Sequence, residues 1–155
     1  MPGYDDLVHA AELALMGRDG DGFSAAMDAA EAAGMPRVDT MVLRLGAASV
    51  LPTPDLVRRQ LAREYVTLAA DAATSSADPS VHDPLSVVMR VVDACRGRPA
   101  LIAELSDEIL AHLEQVSDDE PLGRDENGAV VERARSYKAT VYALIRQARR
   151  DTGAA

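Results

Sequence analysis

Apolar residues recur every three to four positions along most of the chain, the spacing that gathers them on one side of a helix. Leu7, Ala11, Ala14 and Leu15 predict a helix over 5–16, which Asp19-Gly20-Asp21-Gly22 breaks. Phe23, Ala26, Met27 and Ala30 form the next stripe, with Asp28 and Glu31 turned to water. Gly34 then supplies a left-handed stop and Pro36 opens the following helix, where a missing N–H costs nothing in the first turn. Val38, Met41, Val42 and Leu45 carry a third helix to about Leu51, and the apolar Leu43, Val50 and Leu51 off that stripe place it centrally.

Thr53-Pro54-Asp55 reads as a hydroxyl cap, a proline and an acid at the positive end of a fourth helix. Its buried side is expected to be Val57, Leu61, Tyr65, Leu68 and Ala72. Residues 74–83 hold no periodicity and are expected to form a mobile linker. Asp83-Pro84 repeats the cap-and-proline device before a short helix with Val87, Val88, Met89, Val91 and Val92, apolar nearly all round and so suited to the interior. Gly97 ends that helix and Pro99 begins another, with Leu105, Ile109, His112 and Val116 on one side and Glu104 and Glu108 on another. An acidic loop is expected over 117–128, and a last helix from about Val130 to Arg150 on Val130, Ala134, Tyr137, Val141, Leu144 and Ala148.

The fold class expected is therefore all-α: about seven helices in antiparallel hairpins, one bundle, and no strand. Three helices bury little area alone, so a division near 74–83 is set aside and residues 1–155 are read as a single domain. Short Gly/Pro turns between helices are also the style of helical repeats. The segment Gly20-Asp21-Gly22-Phe23-Ser24-Ala25-Ala26-Met27, with Pro36 beyond it, loosely resembles the middle and closing proline of a tetratricopeptide repeat. That resemblance covers one hairpin and implies a packing style; helix starts near 5, 37, 84 and 130 keep no fixed period.

Composition narrows the partners. The chain has 155 residues, with 16 Lys+Arg against 25 Asp+Glu and a formal charge of −9, which repels a phosphate backbone. One Phe, four Tyr and no Trp leave no platform for stacking bases. Arg146, Arg149 and Arg150 fall at the end of a helix, where cations complement its dipole. Nucleic acid and membrane are thus not expected as partners, and a protein partner is, with self-association open. A single cysteine, Cys95, leaves no intrachain disulfide. The acidic Met-Pro-Gly-Tyr-Asp-Asp start lacks the basic and apolar run of a secretory signal, so a cytoplasmic location is expected. Arginine in place of lysine, with abundant alanine, fits a GC-rich genome.

Two loops carry candidate metal chemistry. Residues 17–28 resemble an EF-hand loop from its third position onward: Asp19, Asp21, Gly22 and Asp28 match positions 3, 5, 6 and 12, while Gly17 and Ser24 depart at positions 1 and 8. Residues 123–134 repeat the pattern with Asp125, Asn127, Gly128 and Val130, without the first and last ligands. The resemblance implies calcium; the same Asp, Asn and Gly also serve as turns and caps. His112, one turn beyond Glu108, is either a carboxylate-oriented ligand or a core-edge histidine bonded to its own helix. Together Glu104, Glu108, His112, Glu12 and His9 offer carboxylates and imidazoles for a bundle metal site, but no Glu-x-x-His occurs. Cys95 at the end of an apolar helix reads as a buried thiol. Arg58, Arg59 and Arg63 face either an acidic partner or the chain's own carboxylates.

No phosphate-binding loop or nucleophile elbow is present. The leading expectation is a non-catalytic helical interaction or regulatory module. The alternatives are a calcium-responsive protein using loops 17–28 and 123–134, and a small enzyme or apolar-ligand binder with a pocket between helices near His112 and Tyr65.

Overall fold

A computed structural model describes residues 4–71 and 76–153. Helix makes up 71% of it, in eight α-helices with one two-stranded sheet, so the all-α expectation holds. The chain divides into two compact units, Met1–Asp83 and Pro84–Ala155.

The first unit holds α1 (Tyr4–Met16), α2 (Gly20–Ala32), α3 (Arg37–Val50), α4 (Asp55–Ala70) and a short 3-10 turn, Pro79–His82. Consecutive helices pair antiparallel because the connections are too short for anything else. The expected stripes of α1 and α2 are the faces that pack: Ala11, Phe23, Met27 and Ala47 form one buried cluster, with Ala14, Leu15, Ala26, Leu43 and Leu51 against it. Gly34, at φ 108, ends α2 as expected. Its N–H donates to Glu31 O and that of Met35 to Ala30 O, both at 3.0 Å, the paired bonds that close a helix when the next residue is left-handed. The same device closes α1, but there the left-handed residue is Arg18 at φ 55, with Gly17 one position too early to serve.

Some details in this unit differ from expectation. Helix α1 ends at Met16 as expected, but the break is only residues 17–19: Asp19 is the N-cap of α2, its Oδ1 accepting from Gly22 N–H at 2.9 Å, and Gly20 to Gly22 are already the first turn. Thr53 is not the cap of α4; that position is Pro54, without a side-chain bond, and the Thr53 hydroxyl donates to Leu51 O. Of the expected stripe of α4, Tyr65 is buried and Leu61 and Leu68 are half-buried, but Arg58 and Ala62 join the buried side while Val57 stays at the surface, and Ala72 lies outside the described residues. Arg58 fits inside because its Nε donates to Thr53 O at 3.1 Å.

The second unit holds α5 (Pro84–Ala94), α6 (Pro99–Glu104), α7 (Ser106–Leu113), strands β1 (Pro121–Arg124) and β2 (Val130–Arg133), and α8 (Ala134–Asp151). Helix α5 packs on α7, and α6 on α8. The single helix expected after Pro99 is broken at Leu105, where the Ser106 hydroxyl turns back to Ala103 O at 2.7 Å.

The acidic loop and the first turn of the last helix are instead an antiparallel hairpin. Its turn is closed by Gly128 N–H to Asp125 O at 3.0 Å and Asp125 N–H to Ala129 O at 2.9 Å, with Gly128 left-handed at φ 80. Asn127-Gly128 ahead of the β-branched pair Val130-Val131 is the signal for such a turn; the period-2 pattern is only four residues long. Most of the expected stripe of α8 is its buried side: Ala134, Val141 and Ala148 are buried, joined by Ile145, and Tyr137 is half-buried, while Leu144 is partly exposed and Val130 falls in β2. Among the described residues no helix is long and apolar enough to cross a membrane.

Candidate functional site

Three places in the molecule gather groups with chemistry. The first is polar and buried. Asp39, on α3, accepts at Oδ1 from the Ser76 hydroxyl at 2.6 Å and from His82 Nε2 at 2.7 Å, and at Oδ2 from Ala77 N–H at 3.0 Å. His82 passes the chain of bonds inward, its Nδ1 lying 3.0 Å from the Tyr65 hydroxyl. A carboxylate only accepts, so His82 donates to Asp39 from Nε2 while its Nδ1 faces the tyrosine hydroxyl. Burial alone pushes the Asp39 carboxyl up; Ser76, Ala77 and His82 outweigh it and hold the group below its ordinary value. The order carboxylate–imidazole–hydroxyl is that of a nucleophile relay, but the hydroxyl here is fully buried, as is the imidazole. A group that no substrate can reach is a fastening, and this one ties residues 76–82 to α3 and α4. From Ser76 onward, then, the expected linker is anchored, and residues 74–75 lie outside the described ones.

The second place is an apolar end. Helices α1 and α3 finish, and α2 and α4 begin, at the same end of the first unit, where Gly20, Phe23, Ala47, Leu51, Val57 and Leu61 line a shallow groove of about 220 Å³. Leu13, Met16, Val50, Leu56 and Val57, all partly or largely exposed, belong to those same helix ends, with Met16 81% and Leu56 57% accessible. Arg18, in its left-handed conformation, sits in the α1–α2 turn there. Asp19 and Asp21 are chain neighbours of the lining Gly20. The lining cation Arg44 is engaged by Asp28 at 2.9 Å and approaches Glu31 at 3.6 Å.

Glu31 is not turned to water as expected. It grips Arg37 at 2.8 and 3.1 Å and accepts from the buried Thr40 hydroxyl. Burial raises its carboxyl, and the bonds from Thr40 and Arg37 more than reverse the effect. Arg37 also bonds Glu64 on α4, so one guanidinium joins α2, α3 and α4.

The third place, in the second unit, is a cleft of about 440 Å³ between the α5–α6 turn and α8. Its walls include Val92, Cys95, Ile102, Tyr137, Val141 and Leu144, with Asp93 and Arg96 at the turn, paired at 2.7 Å. Burial pushes the Tyr137 phenol up to about 12, with Asp93 adding and Arg96 opposing.

The sequence-derived metal residues are placed as follows. Asp19 is a helix cap, Asp21 lies in the first turn of α2, and Asp28 in its body pairs with Arg44. With 20–28 helical, no twelve-residue loop exists to wrap an ion. Asp125 Oδ1 accepts from Asn127 N–H and Ala129 N–H, both at 2.9 Å, so both residues shape the hairpin turn. Among the described residues, no three His, Cys, Asp or Glu side chains gather as a metal site would need.

His112 Nδ1 donates to Glu108 O at 3.1 Å, the bond of a core-edge histidine to its own helix. His9 and Glu12 are exposed and 3.9 Å apart. Cys95 is buried. In the acidic loop the side chains of Asp118 and Asp119 are exposed, while the backbone holds the start of α8: their carbonyls take Arg135 N–H at 3.0 Å and the Arg133 guanidinium at 2.7 Å, and Glu120 O takes Ala134 N–H at 2.8 Å. Lys138 bridges Val116 O and the Asp118 carboxylate.

Sequence reading missed Asp39 and His82, because a histidine in an aperiodic stretch has no helical neighbour to betray its partner 43 residues away. It also missed the apolar end, although the off-stripe Val50 and Leu51 pointed to it. Cys95 and Tyr137, which the pattern of apolar positions did not single out as site residues, line the cleft of the second unit.

No protein-family model, no curated protein and no solved structure matches the chain.

Proposed function

We propose that the protein is a non-catalytic helical interaction module, and that the open end of its first unit receives an apolar helix face flanked by Lys or Arg from a partner protein. The single observation that carries this reading is that the exposed Leu13, Met16, Val50, Leu56 and Val57 belong to the helix ends that meet at one end of the unit, where Val57 with Phe23, Leu51 and Leu61 lines a groove. Scattered exposed apolar residues are ordinary on any surface; a concentrated set beside a concavity marks a contact. The non-glycine left-handed residue Arg18 adds support, since conformational strain of this kind is kept where a surface is used.

Charge selects the occupant. Met1–Asp83 carries 13 acidic residues against six arginines, an excess of seven negative charges. That field repels a second copy of the unit, an anionic lipid surface or a nucleic acid, and attracts a basic segment. An amphipathic helix laid in a groove is the form in which apolar anchors and basic flanks arrive together.

The test is a calorimetric titration with two synthetic helical peptides sharing a leucine face, one flanked by lysine and one by glutamate. The lysine peptide is expected to bind, more weakly as salt rises, and Met16→Lys with Leu56→Lys is expected to abolish it. Both sites are exposed, so the double variant keeps its fold. Equal binding of both peptides, or binding indifferent to the double variant, overturns the proposal.

A further inference from the structure

The geometry points to a second, independent site: the cleft of the second unit binds an uncharged apolar small molecule bearing one hydrogen-bond-accepting oxygen, taken by the Tyr137 hydroxyl. At about 440 Å³ the cleft falls in the size range of small-molecule sites, which combine apolar walls with few polar groups that fix orientation. Val92, Ile102, Val141 and Leu144 supply the walls. The lining charges cancel: two arginines, Arg96 and Arg98, face two aspartates, Asp93 and Asp151. Arg96 is already paired with Asp93 at 2.7 Å, and Asp151 takes the Gln147 amide at 2.7 Å. No net field remains to draw an ion, so the ligand class is neutral.

Tyr137 is the orienting group. Its ring packs against the cluster of Leu85, Val116 and Ala134, which fixes it on α8. Among the described residues its hydroxyl has no hydrogen-bond partner, whereas the neighbouring Thr140 hydroxyl is spent on Ser136 O at 3.1 Å. With the phenol pushed up to about 12, the group stays an O–H donor throughout the physiological range. A half-buried donor in an apolar wall is underused until an acceptor arrives, and a ketone or ester oxygen answers it.

The probes are 4-phenylbutan-2-one, 3-phenylpropanoate of the same shape but charged, and butylbenzene without an acceptor. Each is titrated against the full chain while amide and methyl resonances are followed. The ketone is expected to move the signals of Val92, Ile102, Tyr137 and Leu144 saturably, and the carboxylate to bind at least tenfold more weakly. Tyr137→Phe is expected to weaken the ketone about 3- to 10-fold, the loss of one hydrogen bond, and to leave butylbenzene unchanged. Leu144→Trp, at a partly exposed wall position, is expected to fill the cleft and abolish both.

The inference is overturned if the ketone moves no cleft signal at saturation, if the carboxylate binds as tightly, or if Tyr137→Phe weakens ketone and hydrocarbon alike. Because these probes and signals belong to the second unit, their failure leaves the peptide result for the first unit standing, and the converse holds.

Discussion

Replacing Asp39 by alanine isolates the worth of the buried fastening. The carboxylate serves three donors: the Ser76 hydroxyl, Ala77 N–H and His82 Nε2. Ser76 and Ala77 retain access to solvent, so water takes over their bonds and each loss is worth about 0.5–1.5 kcal/mol at most. His82 is different, because its side chain has no exposed surface; a buried N–H left unmade costs about 1–3 kcal/mol. The sum is about 2–6 kcal/mol, a large share of the roughly 5–15 kcal/mol that holds a domain of this size together.

Urea denaturation monitored by helical ellipticity measures it, with amide hydrogen exchange at Ala77 and His82 reporting whether the segment has come loose. Asp39→Asn keeps one acceptor for His82 but presents an N–H₂ to Ala77 N–H, and is expected to fall between alanine and the parent. The reasoning is refuted if Asp39→Ala costs under about 0.5 kcal/mol, the level of an ordinary surface change, or if exchange at residues 76–82 is unaltered.

Other outcomes follow from the same packing. Met27→Ala, at a fully buried site, is expected to cost about 2–5 kcal/mol, while Met16→Ala, 81% accessible, is expected to stay within about 0.5 kcal/mol; denaturation midpoints compare them. Arg18→Gly relieves a left-handed backbone at φ 55 and is expected to stabilise the first unit by about 0.5–1 kcal/mol, read as a raised thermal midpoint. Asp39 and Glu31 are both held below their ordinary values of 3.8 and 4.5, so their contribution is fully present above about pH 4.5 and is lost as pH falls through the lowered values. Denaturation midpoints should therefore drop below about pH 4, and less steeply in Asp39→Asn combined with Glu31→Gln. Gly128→Ala forces a side chain into φ 80 and is expected to raise exchange at the hairpin amides while sparing α5 to α7.

Much of the helical frame was legible because long 3.6-residue periods survive local ambiguity: the stripes of α1 and α2 are the faces that pack. What failed had physical causes. On α4 the expected Tyr65 is buried, but the first turns exchange Val57 for Arg58, since an arginine that satisfies Thr53 O can occupy an interior place that residue type alone assigns to water. The hairpin was hidden by the shortness of its strands, although Asn127-Gly128 carried the turn signal. Asp19, Asp21 and Asp28 match a calcium loop in spacing, and the structure uses Asp19 instead as the cap of a helix that contains Asp21 and Asp28, its carboxylate taking a free first-turn N–H. The fastening of His82 to Asp39 depends on contact between segments 43 residues apart, which no local pattern records. The apolar end was written in Leu13, Met16, Val50 and Leu56, whose departure from the stripes argued exposure at the helix ends more than burial on every side.

The most direct measurement of the central claim is a nuclear magnetic resonance shift map of the full chain during titration with the lysine-flanked, leucine-faced peptide. The account predicts saturable shifts confined to the ends of α1 and α3 and the starts of α2 and α4, centred on Met16, Gly20, Leu51 and Leu56. Shifts spread over the outward faces of α1 to α4, or no shifts at that end, would contradict it.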